Sequence, residues 1–452
     1  MKIAILGAAG MRMPLIYSAL VERGERLDLR RLTLMDFDET RLHLLGALSQ
    51  ELSGRSEVCF QTQLTTSLDE ALEGADFVIT TFRVGGMESR IVDERVPLAH
   101  GLLGQETTGA GGFAMAMRTL PVLLGVLDRM RSMCPQAWLV NFANPSGLLA
   151  EGVHRVGRWP RAVGICDGPA TMLQLAASLL DVPSSEVYLD YVGLNHLGWA
   201  RRVLHRGEDY LPTFLAMIRA AGGFPGMRFD PEFLTSLGMI PNEYLYYYYH
   251  ARQAVEEIVR KGETRGEFLL ALNRTFLEDL KRMQEAGQRQ AMIGRYEAYL
   301  EQRSQTYVNE QAEGGGELLK TQAGGGGGGY AGVALDLIES LHRGTPRVMI
   351  LNLPNHGAVA GMDEDDVVEI PAVVGKQFVQ PLAVGSIPAE CLGLMQRVKA
   401  YERLTIEAAV EGSWAKALKA LTLHPLVSDL EKARAILSEF QVQHAPHFPQ
   451  LQ

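Results

Sequence analysis

Short apolar runs alternate with helical periodicity over the first 165 residues. The runs lie at 2–6, 32–35, 57–60, 77–82 and 138–142. Between them, Asp38–Leu52 and Thr119–Met133 repeat their apolar positions at helical spacing. Strands that are apolar throughout and separated by helices predict a parallel sheet covered on both faces. Beyond about residue 200 the pattern turns helical. Tyr210–Ala221 and Pro231–Leu237 predict short helices, Pro241 opens a long one reaching about Arg260, and another runs from near Arg265 to about Asn309. Two glycine runs, Gly314–Gly316 and Gly324–Gly329, predict a flexible, lid-like segment. Val348–Leu353 and Val367–Val374 read as strands. Helical stretches at about 389–411, 413–422 and 427–443 close the chain, and no repeat is visible.

Composition narrows the class. A chain of 452 residues is long enough for two domains. With 43 basic and 53 acidic residues the net charge is −10, and there is no basic run, which argues against a nucleic-acid surface. The cysteines, Cys59, Cys134, Cys166 and Cys391, are scattered without a CxxC pair. Strand-like sequence begins at Lys2 without a leader pattern, and no apolar run approaches 20 residues. The expectation is a cytoplasmic protein that enters no membrane.

The first strand runs into Gly7-Ala-Ala-Gly10, small residues that let a backbone approach a pyrophosphate at a helix N-terminus. The second ends at Asp36, placed for the ribose hydroxyls of NAD, although Asp36 or Asp38 also suits a helix N-cap. The α/β order with this turn predicts a Rossmann-like dinucleotide-binding domain over 1–165. An α+β domain over 166–452 follows, the whole resembling lactate and malate dehydrogenases in class. Arg83 and Arg90, after the fourth strand, are placed to clamp an anion. The stretch Gly104-Gln-Glu-Thr-Thr-Gly-Ala-Gly-Gly112 predicts a ligand loop containing Glu106. Asn144 lies where the fifth strand gives way to a helix, with Pro145 in that helix's first turn.

Two strand ends carry metal-ligand chemistry. Cys166 follows Ala162-Val-Gly-Ile165, and His196 follows Val187–Val192. Two protein ligands leave positions for substrate oxygens, a Lewis-acid arrangement, with zinc, iron and manganese all open. Each residue alone also suits an ordinary core position. Five of the six residues from Tyr244 to Tyr249 are tyrosine. Most must be packing residues at helical spacing, though one beside a cation can serve as a base.

Together, Gly7–Gly10, Asp36, Phe82-Arg-Val-Gly-Gly86 with Arg90, Gly104-Gln-Glu-Thr-Thr-Gly109, Asn141-Phe-Ala-Asn-Pro-Ser-Gly147, Gly164-Ile-Cys-Asp167, Gly193-Leu-Asn-His-Leu-Gly198 and Tyr244-Leu-Tyr-Tyr247 resemble the NAD- and metal-dependent family four glycoside hydrolases. The nearest likeness is to their 6-phospho-β-glucosidase branch, and it runs nearly end to end. The resemblance implies a glycosidase outside the two-carboxylate scheme: oxidation of the sugar at C3 by NAD+, loss of the C2 proton, elimination of the aglycone, water addition and re-reduction. It implies Cys166 and His196 as ligands of a divalent metal, most readily Mn2+, with Tyr244 as the C2 base, Tyr246 and Tyr247 being the alternatives in the run, and Asp167 as a second catalytic group. Gly7, Ala8, Ala9, Gly10, Asp36 and Arg83 fall to NAD; Arg90, Glu106, Asn144 and Arg265 fall to the phosphorylated sugar. A homodimer or homotetramer is implied as well. The chain departs from the family at Ala8, Ala9 and Met11, where a more polar turn is usual. Asp167 is a feature of the phospho-α-glucosidase branch, whereas Gln105-Glu-Thr-Thr-Gly109 leans towards β. A 2-hydroxy-acid dehydrogenase and a non-catalytic NAD-binding protein are the competing classes.

Overall fold

The structure, a computed structural model, describes residues 1–54, 58–223, 229–311 and 330–452, without the side chains of 305–311 and 330. The glycine runs Gly314–Gly316 and Gly324–Gly329 lie outside the described residues. Thirteen described strands form one sheet. They are β1 (Lys2–Leu6), β2 (Arg31–Met35), β3 (Gln61–Thr65), β4 (Phe77–Thr80), β5 (Trp138–Asn141), β6 (Ala162–Gly164), β7 (Val187–Leu194), β8 (Leu197–His205), β9 (Glu208–Asp209), β10 (Ile240–Pro241), β11 (Arg347–Pro354), β12 (Val367–Gly375) and β13 (Phe378–Pro381). Across the sheet the order is β10-β8-β7-β12-β11-β6-β5-β4-β1-β2-β3, with β9 on β8 and β13 on β12.

The run β3-β2-β1-β4-β5-β6 is parallel throughout. This is the strand order of a dinucleotide-binding fold, whose ligand crevice opens at the carboxyl ends of the strands where the order reverses. The α/β class read from the sequence is therefore the class observed. From β6 outward the pairing is antiparallel. The central strands are buried on both faces because helices cover each side. One of those helices comes from late in the chain: Val333, Leu337, Ile338 and Leu341 of Tyr330–Arg343 pack with Ile3, Ile5 and Leu20 in one core. Burying each such aliphatic side chain contributes about 1.5–3 kcal/mol, so the parallel half of the sheet depends on sequence more than 300 residues away.

Several boundaries differ from the sequence expectation, each for a local reason. Of the apolar run at 57–60, the described residues 58–60 are not a strand, and residue 57 lies outside the described residues. The strand is Gln61–Thr65, an edge strand half open to solvent that does not need apolar residues. The helix expected from Thr119 begins at Gly109, so the second half of the glycine-rich loop is helical. A Cβ on Gly111 would meet the Gln105 carbonyl at 2.3 Å. The glycines let residues 104–107 fold back over the helix's first turn. That long helix is apolar enough to cross a membrane by length and composition, but 78% of its apolar window is buried in the fold.

The helix expected from Pro241 to Arg260 is two helices, Leu245–Tyr249 and Ala251–Lys261. They meet at His250, whose backbone (φ −127°, ψ 34°) is non-helical and whose ring stacks on Tyr246. The helix expected from Arg265 to Asn309 is also two, Arg265–Glu285 and Arg289–Gln311. Between them the Gly287 and Gln288 amides turn back to the carbonyls of Gln284 and Met283. Pro145 sits at the N-cap of Ser146–Arg155, just before the first turn rather than in it.

Candidate active site

Five of the expected residues stand at or just beyond the carboxyl ends of parallel strands: Gly7 after β1, Asp36 after β2, Arg83 after β4, Asn144 after β5 and Cys166 after β6. At the first turn the Gly7 and Ala8 amides both donate to the Met35 carbonyl, at 2.9 and 3.0 Å. Gly7 has φ 93°, and a Cβ there would lie 2.5 Å from the Phe82 nitrogen, so no other residue fits. Asp36 Oδ2 accepts from the Ala9 amide at 2.9 Å and Oδ1 from the Asp38 amide at 3.2 Å. Asp36 thus braces the glycine turn against β2. The N-cap role falls to Asp38, which accepts from the Arg41 amide. Gly7–Gly10 and Asp36 form one rigid unit at the head of the helix Met13–Arg23, which fits the adenosine-diphosphate half of a dinucleotide.

A second group gathers around Glu106. Arg90 Nη1 lies 3.0 Å from Glu106 Oε1, and Arg90 Nε donates to Glu94 Oε1 at 2.8 Å. The other Glu94 oxygen accepts from the Gly266 amide at 2.7 Å, which ties the start of the helix Arg265–Glu285 to this point. Burial pushes the Glu106 carboxyl up, but Arg90, Arg83 and Arg265 more than offset it and hold the group below its ordinary value. The fold therefore brings Arg83, Arg90, Glu106 and Arg265 within electrostatic reach of one another. Arg90 reaches the cleft through its pairing with Glu106.

The third group is the metal candidate. His196 occupies the two-residue turn Asn195–His196 between β7 and β8, at φ 63°. Its ring is stacked on Tyr244, with centroids 3.7 Å apart and planes at 7°. Burial lowers the imidazole to about 4, so it is neutral, the ligating form. His196 Nδ1 is buried with no hydrogen-bond partner among the described residues. Burial pushes the Cys166 thiol well up, and the charges of Glu369 and Asp167 push it further. Tyr244 is raised well above its ordinary value by burial, then by Glu243, Glu106, Cys166 and Asp167. Asp167 Oδ2 lies 3.6 Å from Arg12 Nη1.

A soft ligand, a neutral imidazole with an orphaned nitrogen and several acids acting on one phenol fit a divalent cation, which would relieve that negative potential. Among the described residues no three His, Cys, Asp or Glu side chains form a metal cage. Cys166 and His196, the pair offered as ligands by the sequence, both lie about Tyr244: the one acts on its phenol and the other stacks on its ring.

Of the tyrosine run, Tyr244 is the member stacked on His196. Tyr247 meets Tyr244 edge-on, Tyr246 packs against Phe229 and His250, Tyr248 stacks on His424, and Tyr249 accepts from the Trp199 indole. Sequence reasoning missed a polar layer beside the half-site: buried Tyr191, Asn242, Asn352 and Glu369, with half-buried Asn195. Glu369 is a lone acid in the apolar strand Val367-Val-Glu-Ile-Pro-Ala-Val-Val374, and that was the available signal.

Comparison with known proteins agrees with this geometry. Residues 2–182 match the model of the family 4 glycosyl hydrolases, and 191–427 match the model of the family 4 glycosyl hydrolase C-terminal domain. The chain is 31% identical to a probable 6-phospho-beta-glucosidase of Bacillus subtilis, over 100% of this chain and 98% of that one. It is 28% identical to the phospho-alpha-glucosidase PagL of Clostridium acetobutylicum, over 97% and 96% of the two chains. Among solved structures, the 6-phospho-beta-glucosidase of Thermotoga maritima with manganese, NAD+ and glucose-6-phosphate aligns with a TM-score of 0.82 at 28% identity, covering 99% of this chain and 100% of that one.

Proposed function

The chain belongs to the family 4 glycosyl hydrolases, and from that premise we propose that it hydrolyses 6-phospho-β-glucosides, such as cellobiose 6-phosphate, with NAD+ and a divalent metal, Mn2+ foremost. The observation that carries this reading is the Tyr244 ring lying flat on His196 while Cys166 and Glu106 act on the same phenol, in a chain whose parallel strands have the order of a dinucleotide-binding fold. A plain dehydrogenase would use a histidine at this position but has no use for Cys166 or Tyr244.

In this reading Gly7, Ala8, Ala9, Gly10, Asp36 and Arg83 hold NAD+, within 1–165. Cys166 and His196 hold the metal, within 166–452. When bound, NAD+ supplies a hydride acceptor for the sugar C3 and Mn2+ a Lewis acid for the oxygens on C2 and C3. Tyr244 removes the C2 proton. Its raised affinity for a proton makes its phenolate a strong base, and that phenolate needs a cation beside it to form. Asp167, next to Cys166 and 3.6 Å from Arg12 Nη1, is the second catalytic group. Glu106 and Asn144 orient the sugar, Arg90 fixes Glu106, and Arg265 supplies positive charge for the 6-phosphate. A dimer or tetramer in the cytoplasm, with the four cysteines free, belongs to the same proposal.

The anomer is tested with chromogenic 6-phospho-β- and 6-phospho-α-glucosides and their unphosphorylated forms. Turnover is expected with the phospho-β-substrate in the presence of NAD+ and Mn2+, at least about tenfold above the other three, since one lost charge-assisted contact is worth roughly 1.5–3 kcal/mol. Preference for the α-linked substrate would transfer the assignment to the phospho-α-glucosidases and give Asp167 the role of general acid.

A further inference from the structure

Buried carboxylates in this fold are generally matched by cations. Asp93 is held by Arg118, Glu151 by Lys399 and Arg155, and Asp190 by Arg201. Glu369 is different. It is 1% exposed and makes no ion pair among the described residues. Its hydrogen bonds come from neutral groups: Tyr191 Oη donates to Oε2 at 3.0 Å, and Asn352 Nδ2 and Asn195 Nδ2 donate to Oε1 at 3.0 and 3.3 Å. Burial pushes this carboxyl up to about 7, with Asp167 adding to the effect. An uncompensated buried acid costs several kcal/mol unless a partner neutralises it.

Its place in the sheet supplies the missing partner. Glu369 on β12 stands opposite Gly193 of β7 and opposite Asn352 of β11, and Asn352 in turn pairs with Gly164 of β6. Gly164 lies two residues before Cys166, and Gly193 lies three before His196. Asn195, bonded to Glu369, is the other residue of the His196 turn, and its Oδ1 accepts from the Gly147 amide at 3.4 Å, just past Asn144. One carboxylate therefore ties together the strand ends that present Asn144, Cys166 and His196.

We propose that Glu369 is a positioning residue and buried counter-charge of the metal half-site, holding the ends of β6 and β7 so that Cys166 and His196 face one divalent cation. The proposal rests on the assignment of Cys166 and His196 as metal ligands. It is tested on the full chain with Glu369→Gln, which keeps the reach of the side chain and removes its charge, and with Tyr191→Phe, which removes one of the bonds to it. Three quantities are read: Mn2+ affinity by electron paramagnetic resonance of the free ion, NAD+ affinity by calorimetry, and the metal-free Tm. Glu369→Gln is expected to weaken Mn2+ binding about 10–100-fold, the usual effect of losing a supporting group. NAD+ affinity should stay within about twofold and the metal-free Tm should hold or rise, because a buried charge has gone. Tyr191→Phe should weaken Mn2+ binding in the same direction by less.

Mn2+ affinity within about twofold of the parent in Glu369→Gln would overturn the proposal. If Glu369→Gln does not fold, Tyr191→Phe decides: weaker Mn2+ with unchanged NAD+ supports the role, and parental Mn2+ affinity overturns it. A parent protein that binds no Mn2+ would overturn the half-site itself and this role with it.

Discussion

Tyr244→Phe is expected to lower kcat on the 6-phospho-β-glucoside by about 10²–10⁴-fold, the usual contribution of a positioned general base. The substitution removes one oxygen and keeps the ring that lies 3.7 Å from the His196 imidazole. The stack, and with it the turn that holds His196, should persist. Mn2+ affinity, NAD+ affinity and the circular dichroism spectrum should therefore match the parent, and the loss should sit in kcat. Tyr247→Phe is the control: that ring meets Tyr244 edge-on and has no contact with His196 among the ring pairs described. Its variant should keep turnover within a few-fold. If Tyr247→Phe carries the large loss and Tyr244→Phe does not, the base has been placed on the wrong tyrosine of the run.

The second large effect is at His196. His196→Asn should abolish tight Mn2+ binding and lower turnover by roughly 10³-fold, since a Lewis acid supplies several kcal/mol of transition-state stabilisation and each 1.36 kcal/mol is tenfold. Asparagine is chosen because His196 sits at φ 63°, a conformation that asparagine tolerates far better than alanine does. A backbone penalty is then not mistaken for a ligand effect. The metal-free Tm should fall only by the loss of the Tyr244 stack, about 0.5–1.5 kcal/mol in stability. Parental Mn2+ affinity in His196→Asn, measured by electron paramagnetic resonance titration, would remove His196 from the ligand set.

These expectations rest on residues with unequal legibility. Gly7, Asp36, Arg83, Asn144 and Cys166 could be placed from the sequence because each ends an apolar run, and the carboxyl ends of parallel strands converge on one crevice. Their meeting point follows from topology alone. His196 was legible as a candidate ligand. Its place in a two-residue hairpin turn was not, because the turn is defined by the antiparallel pairing of β7 with β8. Arg265 was legible as a cation without a location. Its charge acts on Glu106 because the Gly266 amide anchors the start of its helix on Glu94, a contact across 172 positions in sequence that no local pattern encodes.

The helical start at Gly109 went unseen for a related reason. Glycine-rich sequence usually signals a loop, but here the glycines permit a loop to press against a helix. Glu369 was hidden in the opposite way. It breaks an apolar strand, and its meaning appears only when β12 is set between β7 and β11.

The central claim is that this chain cleaves a glycosidic bond by way of the proton on C2, with no net change in its NAD. The most direct measurement is hydrolysis of a 6-phospho-β-glucoside in D2O with NAD+ and Mn2+, followed by NMR of the glucose 6-phosphate formed. Deuterium at C2 of the product, with no NADH accumulating at 340 nm, is the predicted result. Product that retains hydrogen at C2, formed equally well after NAD+ and Mn2+ are removed, would contradict the account.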